Sequence, residues 1–320
     1  MYKKNIWHTC DANKKSKIMK FNDKYMEFLS NGKTERECVK ESIVLAEAQG
    51  FKPLDTYESL KSGDKVYVVN KNKNIALFII GKKPLTEGLR ILGAHIDSPR
   101  IDVKQNPLYE KDGFALLDTH YYGGIKKYQW VTIPLALHGV ICKKDGTTEV
   151  VNIGESDKDP VFGIGDLLPH LAADQITKPA TKVIEGEDLD VTVGSMPLKE
   201  KDKFSVKANI LNILKKKYNM EEEDFVSSEI EIVPAGKARS YGLDSSMVAS
   251  YGQDDRVCAY TSLKAILDVE NPEFTSCCIL VDKEEIGSVG ATGAQSLFFE
   301  NTIARLLNKM GSNSFLDVRM

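Results

Sequence analysis

The stretch Ser276-Cys277-Cys278-Ile279-Leu280-Val281 is a short apolar run, bounded by turn signals, with the character of a buried β-strand. Segments with helical periodicity lie on both sides of it in the chain, at 256–268 and 294–309. A second short and mostly apolar run, Leu89 to Ala94, has the same character. Strands that alternate with helices favour an α/β fold, with a mostly parallel sheet flanked by helices.

Residues 100–235 have a different texture, with frequent turn residues and one amphipathic segment, near 204–219, that is predicted to be helical. Short strand-like runs lie at 131–142, 147–153 and 228–233. We therefore predict an inserted, mainly β domain at 101–235. The α/β domain is then discontinuous and consists of residues 1–100 and 236–320.

Composition and charge exclude several classes of function. The 320 residues carry a formal net charge of -3, which gives no electrostatic basis for binding nucleic acid or an acidic membrane surface. No apolar run reaches the roughly 18 residues of a membrane-spanning helix, and no apolar h-region of a signal peptide follows the N-terminus. The six cysteines contain no C-x-x-C pair, which favours a reducing cytoplasm over a disulfide frame or a thiolate zinc site.

The motif Gly93-Ala94-His95-Ile96-Asp97-Ser98-Pro99 directly follows a predicted strand. In extended chain, residues i and i+2 face the same side, so His95 and Asp97 can point into one site. A neutral imidazole is a good zinc ligand, and a nearby carboxylate can orient it. The alternative is a polar strand end with a capping aspartate.

Two further carboxylate motifs lie in predicted loops of the α/β part. Glu284 and Glu285 follow the apolar strand at 276–281; one could bind a metal while the other serves as general base, or both could belong to a solvated acidic turn. Asp254 precedes a predicted helix, where it could bridge two metal ions or simply cap the helix. Arg256 could pair with a carboxylate or lie exposed on the helix.

Together these motifs resemble one group of metallopeptidases, the aspartyl aminopeptidases and aminopeptidase I of the M18 family. The inserted segment adds to the resemblance, which spans nearly the whole chain. The matching stretches are 93–99, Asp254-Asp255-Arg256, Glu284-Glu285-Ile286-Gly287-Ser288, Tyr121-Tyr122-Gly123-Gly124-Ile125 with Trp130, Pro134-Leu135-Ala136-Leu137-His138-Gly139 and Asp166-Leu167-Leu168-Pro169-His170-Leu171-Ala172.

The resemblance implies removal of N-terminal residues, often acidic ones, from peptides by two zinc ions, for which cobalt or manganese could substitute. It assigns His95 and Glu285 as zinc ligands, Asp254 as the bridging ligand, Asp97 as the residue that orients His95, and Glu284 as the general base. It also implies a homo-oligomer built from dimers through the inserted domain, typically a twelve-subunit shell. His170 matches a histidine that reaches an active site; the alternative is a surface residue at a turn.

The resemblance also implies a carboxylate ligand and a histidine beyond the Glu284-Glu285 loop. Asp317 superficially resembles that carboxylate, but it follows the predicted 294–309 helix closely and lacks a Ser two residues earlier. A two-zinc site with a bridging ligand needs about five protein ligands, whereas the motifs supply three. We therefore expect a chain truncated at its C-terminus, with weak binding of the second metal and little activity on its own.

Two other hypotheses remain at this point. The chain could be an inactive assembly or binding subunit of the same fold, which a large oligomer without hydrolysis would indicate. It could also be a different metal-dependent amidohydrolase, which would accept N-acetylated peptides that an aminopeptidase ignores.

Overall fold

The computed structural model describes residues 3–199, 204–312 and Val318. Asp317 lies outside the described residues. The helices are α1 (Ala12–Asn31), α2 (Glu35–Glu47), α3 (Ser205–Tyr218), α4 (Gln253–Leu267) and α5 (Phe298–Lys309). The strands are β1 (Lys52–Pro53), β2 (Lys65–Asn70), β3 (Asn74–Ile79), β4 (Leu89–His95), β5 (Arg100–Lys111), β6 (Phe114–Tyr122), β7 (Leu135–Cys142), β8 (Thr148–Ile153), β9 (Val191–Gly194), β10 (Ser228–Pro234), β11 (Arg239–Tyr241), β12 (Met247–Ala249) and β13 (Thr275–Val281).

The chain divides into two compact units, one made of residues 1–97 and 237–320 and the other of residues 98–236. In the described part of the first unit, five strands form a sheet in the order β1-β2-β3-β13-β4. β13 pairs in parallel with β4 and antiparallel with β3. The α/β class is confirmed. The sheet is more mixed than predicted, because the tight turn between β2 and β3 forces these two strands to run antiparallel.

Helices cover both faces of the sheet at its central strand, β3. Its residues are buried on both sides: Ile75 and Leu77 pack with α1, α2 and α4, whereas Ala76 and Phe78 pack with α5. A strand enclosed on both faces has no need of polar residues, which explains the continuous apolar run in its sequence.

The helix signals in the sequence are confirmed with shifted ends. Thr34 and Glu37 form a capping box at the start of α2. The helix predicted for 256–268 corresponds to α4, which is counted from Gln253; because Asp254 and Asp255 are not helical, its regular part begins at Arg256, as predicted. The helix predicted for 294–309 begins at Phe298, because the loop after the Glu284-Glu285 turn is longer than expected. Cys277 and Cys278 are buried in the core, as predicted.

The second unit contains a sheet in which described strands are ordered β8-β7-β10-β5-β6-β9, with every pairing antiparallel. Strands β7, β8 and β10 and helix α3 lie where the sequence predicts strands and a helix. The long β5–β6 hairpin was missed. Its register shifts between Val103 and Leu108, and this irregularity breaks the alternation on which the prediction of strands depends.

Across the described residues, no helix is both long and apolar enough to cross a membrane.

Candidate metal centre

The candidate site lies where two neighbouring parallel strands of the first unit end. Val281, the last residue of β13, is the register partner of His95, the last residue of β4. The pairing continues one residue further, because the Ile96 N–H donates to the Val281 carbonyl over 2.9 Å. The loop that carries Glu284 and Glu285 therefore starts beside His95, at the carboxyl edge where α/β proteins commonly place their sites.

His95 is the centre of this arrangement, with a side chain that is 10% exposed. Its Nε2 atom lies 3.3 Å from Oδ1 of Asp254 and 3.8 Å from Oε2 of Glu284. Its Nδ1 atom lies 3.4 Å from Oδ1 of Asp97 and 3.0 Å from the main-chain oxygen of Asp97. One imidazole nitrogen thus faces Asp97, while the other faces the carboxylates of two different loops.

The charge state of His95 follows from these neighbours. Burial disfavours the imidazolium, but the hydrogen bond to Asp97 and the negative charge of Asp97 outweigh it and raise the pKa of His95 to about 9. The pKa of Glu285 is also raised, by burial and by the nearby negative charges of Asp97, Asp254 and Glu284. Carboxylates crowded in this way repel one another, and a bound cation would relieve that repulsion.

Asp97 makes more contacts than the sequence suggested. It is fully buried, and its Oδ1 and Oδ2 atoms accept hydrogen bonds from the main-chain N–H groups of Glu284 and Glu285, each over 3.2 Å. One carboxylate therefore holds both the imidazole and the backbone of the acidic turn. The pattern H-x-D predicted the first contact, but no local pattern reports the second, which joins residues 187 and 188 positions apart.

Asp254 and Asp255 interrupt the start of α4, because their φ and ψ angles are not helical. The peptide bond between these two residues is cis. The side chain of Asp254 is 85% exposed, and its Oδ1 atom lies within 3.3 Å of the His95 imidazole.

The acidic turn is fixed from the opposite side by Asp282 and Thr292. The Thr292 hydroxyl donates to Oδ2 of Asp282 over 2.6 Å, and the Thr292 carbonyl accepts from the side-chain amide of Asn74 over 2.9 Å. A Cβ atom on Gly293 would lie 2.1 Å from the Ser288 carbonyl oxygen, so only glycine fits where the loop closes.

His95, Glu284 and Glu285 each offer one ligand atom, and these atoms lie within 4.8 Å of one another. An imidazole nitrogen and carboxylate oxygens are ligands that zinc accepts, so the residues fit this ion. His170 lies in the second unit, exposed in a turn. Arg256 is not the exposed helix residue considered above: it is 1% exposed.

These features are those of a metal-dependent hydrolase: a histidine and carboxylates gathered at the ends of parallel strands, with a second acidic group at hand as a base. The comparisons with known proteins are more specific. A family model described as aminopeptidase I zinc metalloprotease (M18) matches residues 28–320. This chain belongs to that family, and it is a zinc metalloaminopeptidase.

Individual relatives agree. A probable M18 family aminopeptidase 1 of Clostridium acetobutylicum is 57% identical over 321 residues, covering 99% of this chain and 69% of the relative. The crystal structure of the M18 aminopeptidase of Thermotoga maritima matches with a TM-score of 0.94 at 45% identity, covering 100% of this chain and 69% of that one. The mApe1 dodecamer of S. cerevisiae shares the fold, with a TM-score of 0.68 and 22% identity over 90% of this chain and 66% of that one.

Proposed function

We propose that His95, Asp254 and Glu285 hold zinc in this aminopeptidase and that Glu284 is the general base of peptide hydrolysis. The observation that carries the proposal is the convergence of ligand atoms from His95, Glu284 and Glu285 within 4.8 Å, with Asp254 a further 3.3 Å contact of His95. The proposal includes two zinc ions, with Asp254 as the ligand they share, because one anionic ligand between two cations screens their repulsion.

Bound zinc supplies Lewis acidity, which polarises the scissile carbonyl and lowers the pKa of the attacking water. The Glu284 carboxylate accepts a proton from that water at an Oε atom as the water attacks the carbonyl carbon. The same carboxyl group then returns the proton to the leaving amine. Asp97 keeps His95 oriented and holds the Glu284 and Glu285 backbone in place, so little reorganisation is needed during the reaction.

Substrates under this proposal are peptides with a free, and preferably acidic, N-terminal residue. Hydrolysis is compared for Asp-, Glu- and Leu-aminoacyl substrates and for N-acetylated peptides, with zinc, cobalt or manganese added. We expect turnover only with a free amino group, faster turnover of the acidic substrates, and loss of turnover in His95→Ala. Equal cleavage of N-acetylated peptides contradicts the aminopeptidase mechanism, and equal rates for Asp and Leu substrates contradict the acidic preference alone.

We further propose that residues 101–235 build the contacts of a homo-oligomer and that His170 serves a substrate site in it. Four large apolar side chains in the irregular segment 163–185 are 54–71% exposed, a concentration typical of interaction surfaces: Leu167, Leu168, Leu171 and Ile176. Light scattering should give a dimer or a larger assembly for the native chain and a smaller species for Leu168→Asp. A native chain that is monomeric at all concentrations contradicts this part of the proposal.

A cytoplasmic location is the last element of the proposal. All six cysteines are free thiols, and Cys142 and Cys258 are exposed, as suits a reducing compartment. Fractionation of cells that express the tagged protein tests it; recovery outside the cytoplasm contradicts it.

A further inference from the structure

Arg256 is a fully buried cation at the start of α4, two residues after Asp254. It is 1% exposed, and its Nη2 atom donates to the Lys33 carbonyl over 2.8 Å and to the Ile96 carbonyl over 3.2 Å. Its guanidinium carbon lies 5.4 Å from the centre of the Tyr251 ring. The Nε and Nη1 atoms are buried and have no hydrogen-bond partner among the described residues, so the two bonds of Nη2 offset only part of the cost of removing this guanidinium from water.

The two carbonyls that Arg256 binds lie in different segments of the first unit. Lys33 belongs to the turn between α1 and α2, and Ile96 lies between His95 and Asp97 at the end of β4. The Ile96 carbonyl is part of the peptide group that leads directly into Asp97. A single planar side chain therefore links the backbone that carries Asp254 to the backbone that carries His95 and Asp97.

This link affects the distance between the proposed metal ligands His95 and Asp254. The Asp254 carboxylate is largely exposed, and within α4 the φ and ψ angles of Asp254 and Asp255 depart from helical values. Arg256 is the next residue along the chain that is buried and anchored. Without its two hydrogen bonds, the start of α4 could shift relative to β4, and the 3.3 Å spacing of Asp254 and His95 would be lost.

We propose that Arg256 is a positioning residue that sets the spacing of the metal ligands by bonding to the Ile96 carbonyl. This inference rests on the proposed function, since it assumes that His95 and Asp254 bind zinc. It assigns Arg256 no contact with the substrate. Mutation of residues that hold metal ligands in place typically lowers metal affinity or activity about 10- to 100-fold.

The main test compares Arg256→Lys with the parent chain. An ammonium is a compact donor that cannot reproduce the planar fork of the guanidinium. We measure zinc dissociation constants by competition with a chromophoric chelator, normalised to folded protein by circular dichroism, and kcat and KM at saturating zinc. We expect zinc affinity about 10- to 100-fold weaker and a lower kcat with little change in KM.

Arg305→Lys is the matched control, because Arg305 is an exposed arginine of the same unit that pairs with Asp55 at 2.5 Å; its zinc affinity should equal that of the parent. In Arg256→Gly, millimolar methylguanidinium should restore part of the zinc affinity, whereas it should not help His95→Ala. A purely structural role would lower the melting temperature without changing the zinc affinity of the folded fraction.

A folded Arg256→Lys variant that binds zinc as tightly as the parent overturns the inference. If neither Arg256→Lys nor Arg256→Gly folds, the inference is tested on the parent chain by NMR. The ¹⁵N guanidinium resonance of Arg256 should be protected from exchange and should shift when zinc is added. An unchanged resonance overturns the inference. His95→Ala separates the two claims. If His95→Ala binds zinc as tightly as the parent, the proposed metal site is wrong. If His95→Ala loses zinc affinity while Arg256→Lys keeps it, only the positioning role of Arg256 is wrong.

Discussion

Replacing Asp97 with Asn should change zinc binding in two opposite ways, and pH separates them. Asn keeps the shape of Asp97 but has one acceptor oxygen for the N–H groups of Glu284 and Glu285, so one of these donors loses its partner inside the protein. An unpaired donor costs about 1–3 kcal/mol when it is fully buried, and less here, because both hydrogen bonds are only partly buried. Loosening of the acidic turn and of His95 should weaken zinc binding about 10- to 100-fold, the usual effect of removing such a support.

The second effect works in the opposite direction. With the pKa of His95 near 9, the metal-free imidazole is protonated about a hundredfold over at pH 7, and zinc must displace that proton. Asn removes the charge of Asp97 that raises this pKa, while the burial that lowers it remains. In the variant, zinc no longer has to displace a proton from His95 at pH 7. This gain offsets much of the affinity that is lost when the acidic turn loosens.

Zinc affinity measured by chelator competition from pH 6.5 to 9.5 tests both parts. We expect similar affinities of parent and Asp97→Asn near pH 7, and a parent that binds about 10- to 100-fold more tightly at pH 9.5. Calorimetry in buffers of different ionisation enthalpy should show about one proton fewer released by the variant at pH 7. Asp55→Asn, an exposed aspartate of the same unit, should match the parent. An affinity ratio independent of pH, with equal proton release, would refute the reasoning.

Three further predictions follow from the same contacts. In the metal-free chain, the pKa of His95 is raised from 6.5 to about 9, so the protonated imidazole stabilises the folded state by about 3 kcal/mol below pH 6.5, and this stabilisation is lost as the pH rises to 9. The free energy of unfolding in urea, plotted against pH, should therefore fall between pH 6.5 and 9 in the parent but not in His95→Gln. Parallel plots for the two proteins contradict this prediction. Glu284→Gln should lower kcat by about 10²- to 10⁴-fold while retaining zinc, whereas Glu285→Gln should lose zinc; the reverse pattern exchanges their roles. Leu263→Ala in the core should cost about 2–5 kcal/mol in urea unfolding, against roughly 0.5 kcal/mol or less for the exposed Val44→Ala.

The sequence predicted those parts of the site that depend on short local patterns in the chain. An apolar run followed directly by polar side chains indicates a strand end, and both β4 and β13 carry that signal at His95 and Glu284. The parallel pairing of strands in α/β folds then brings such ends together. Two independent local patterns and one general rule of topology were therefore enough to place the histidine beside the acidic turn.

The missed parts depend on contacts between distant residues. Arg256 bonds to carbonyls 223 and 160 positions away, and neither partner leaves a trace in the side-chain sequence, because a main-chain carbonyl is present at every residue. Asp97 bonding to the N–H groups of Glu284 and Glu285 is hidden for the same reason. Periodicity reports only which face of an element is buried, so it cannot report these bonds.

The register of β13 connects the core to the metal centre. Cys278 and Leu280 face the side of the sheet that α4 covers, while Cys277 faces α5. A slip of one residue would exchange these faces, turning Cys278 and Leu280 towards α5 and Cys277 towards α4, so packing specifies the register strongly. That register sets Val281 opposite His95 and brings the acidic turn to the imidazole. Core packing thus fixes the position of Glu284 and Glu285 before any metal binds, and changes that shift β13 should weaken metal binding even when every ligand is intact.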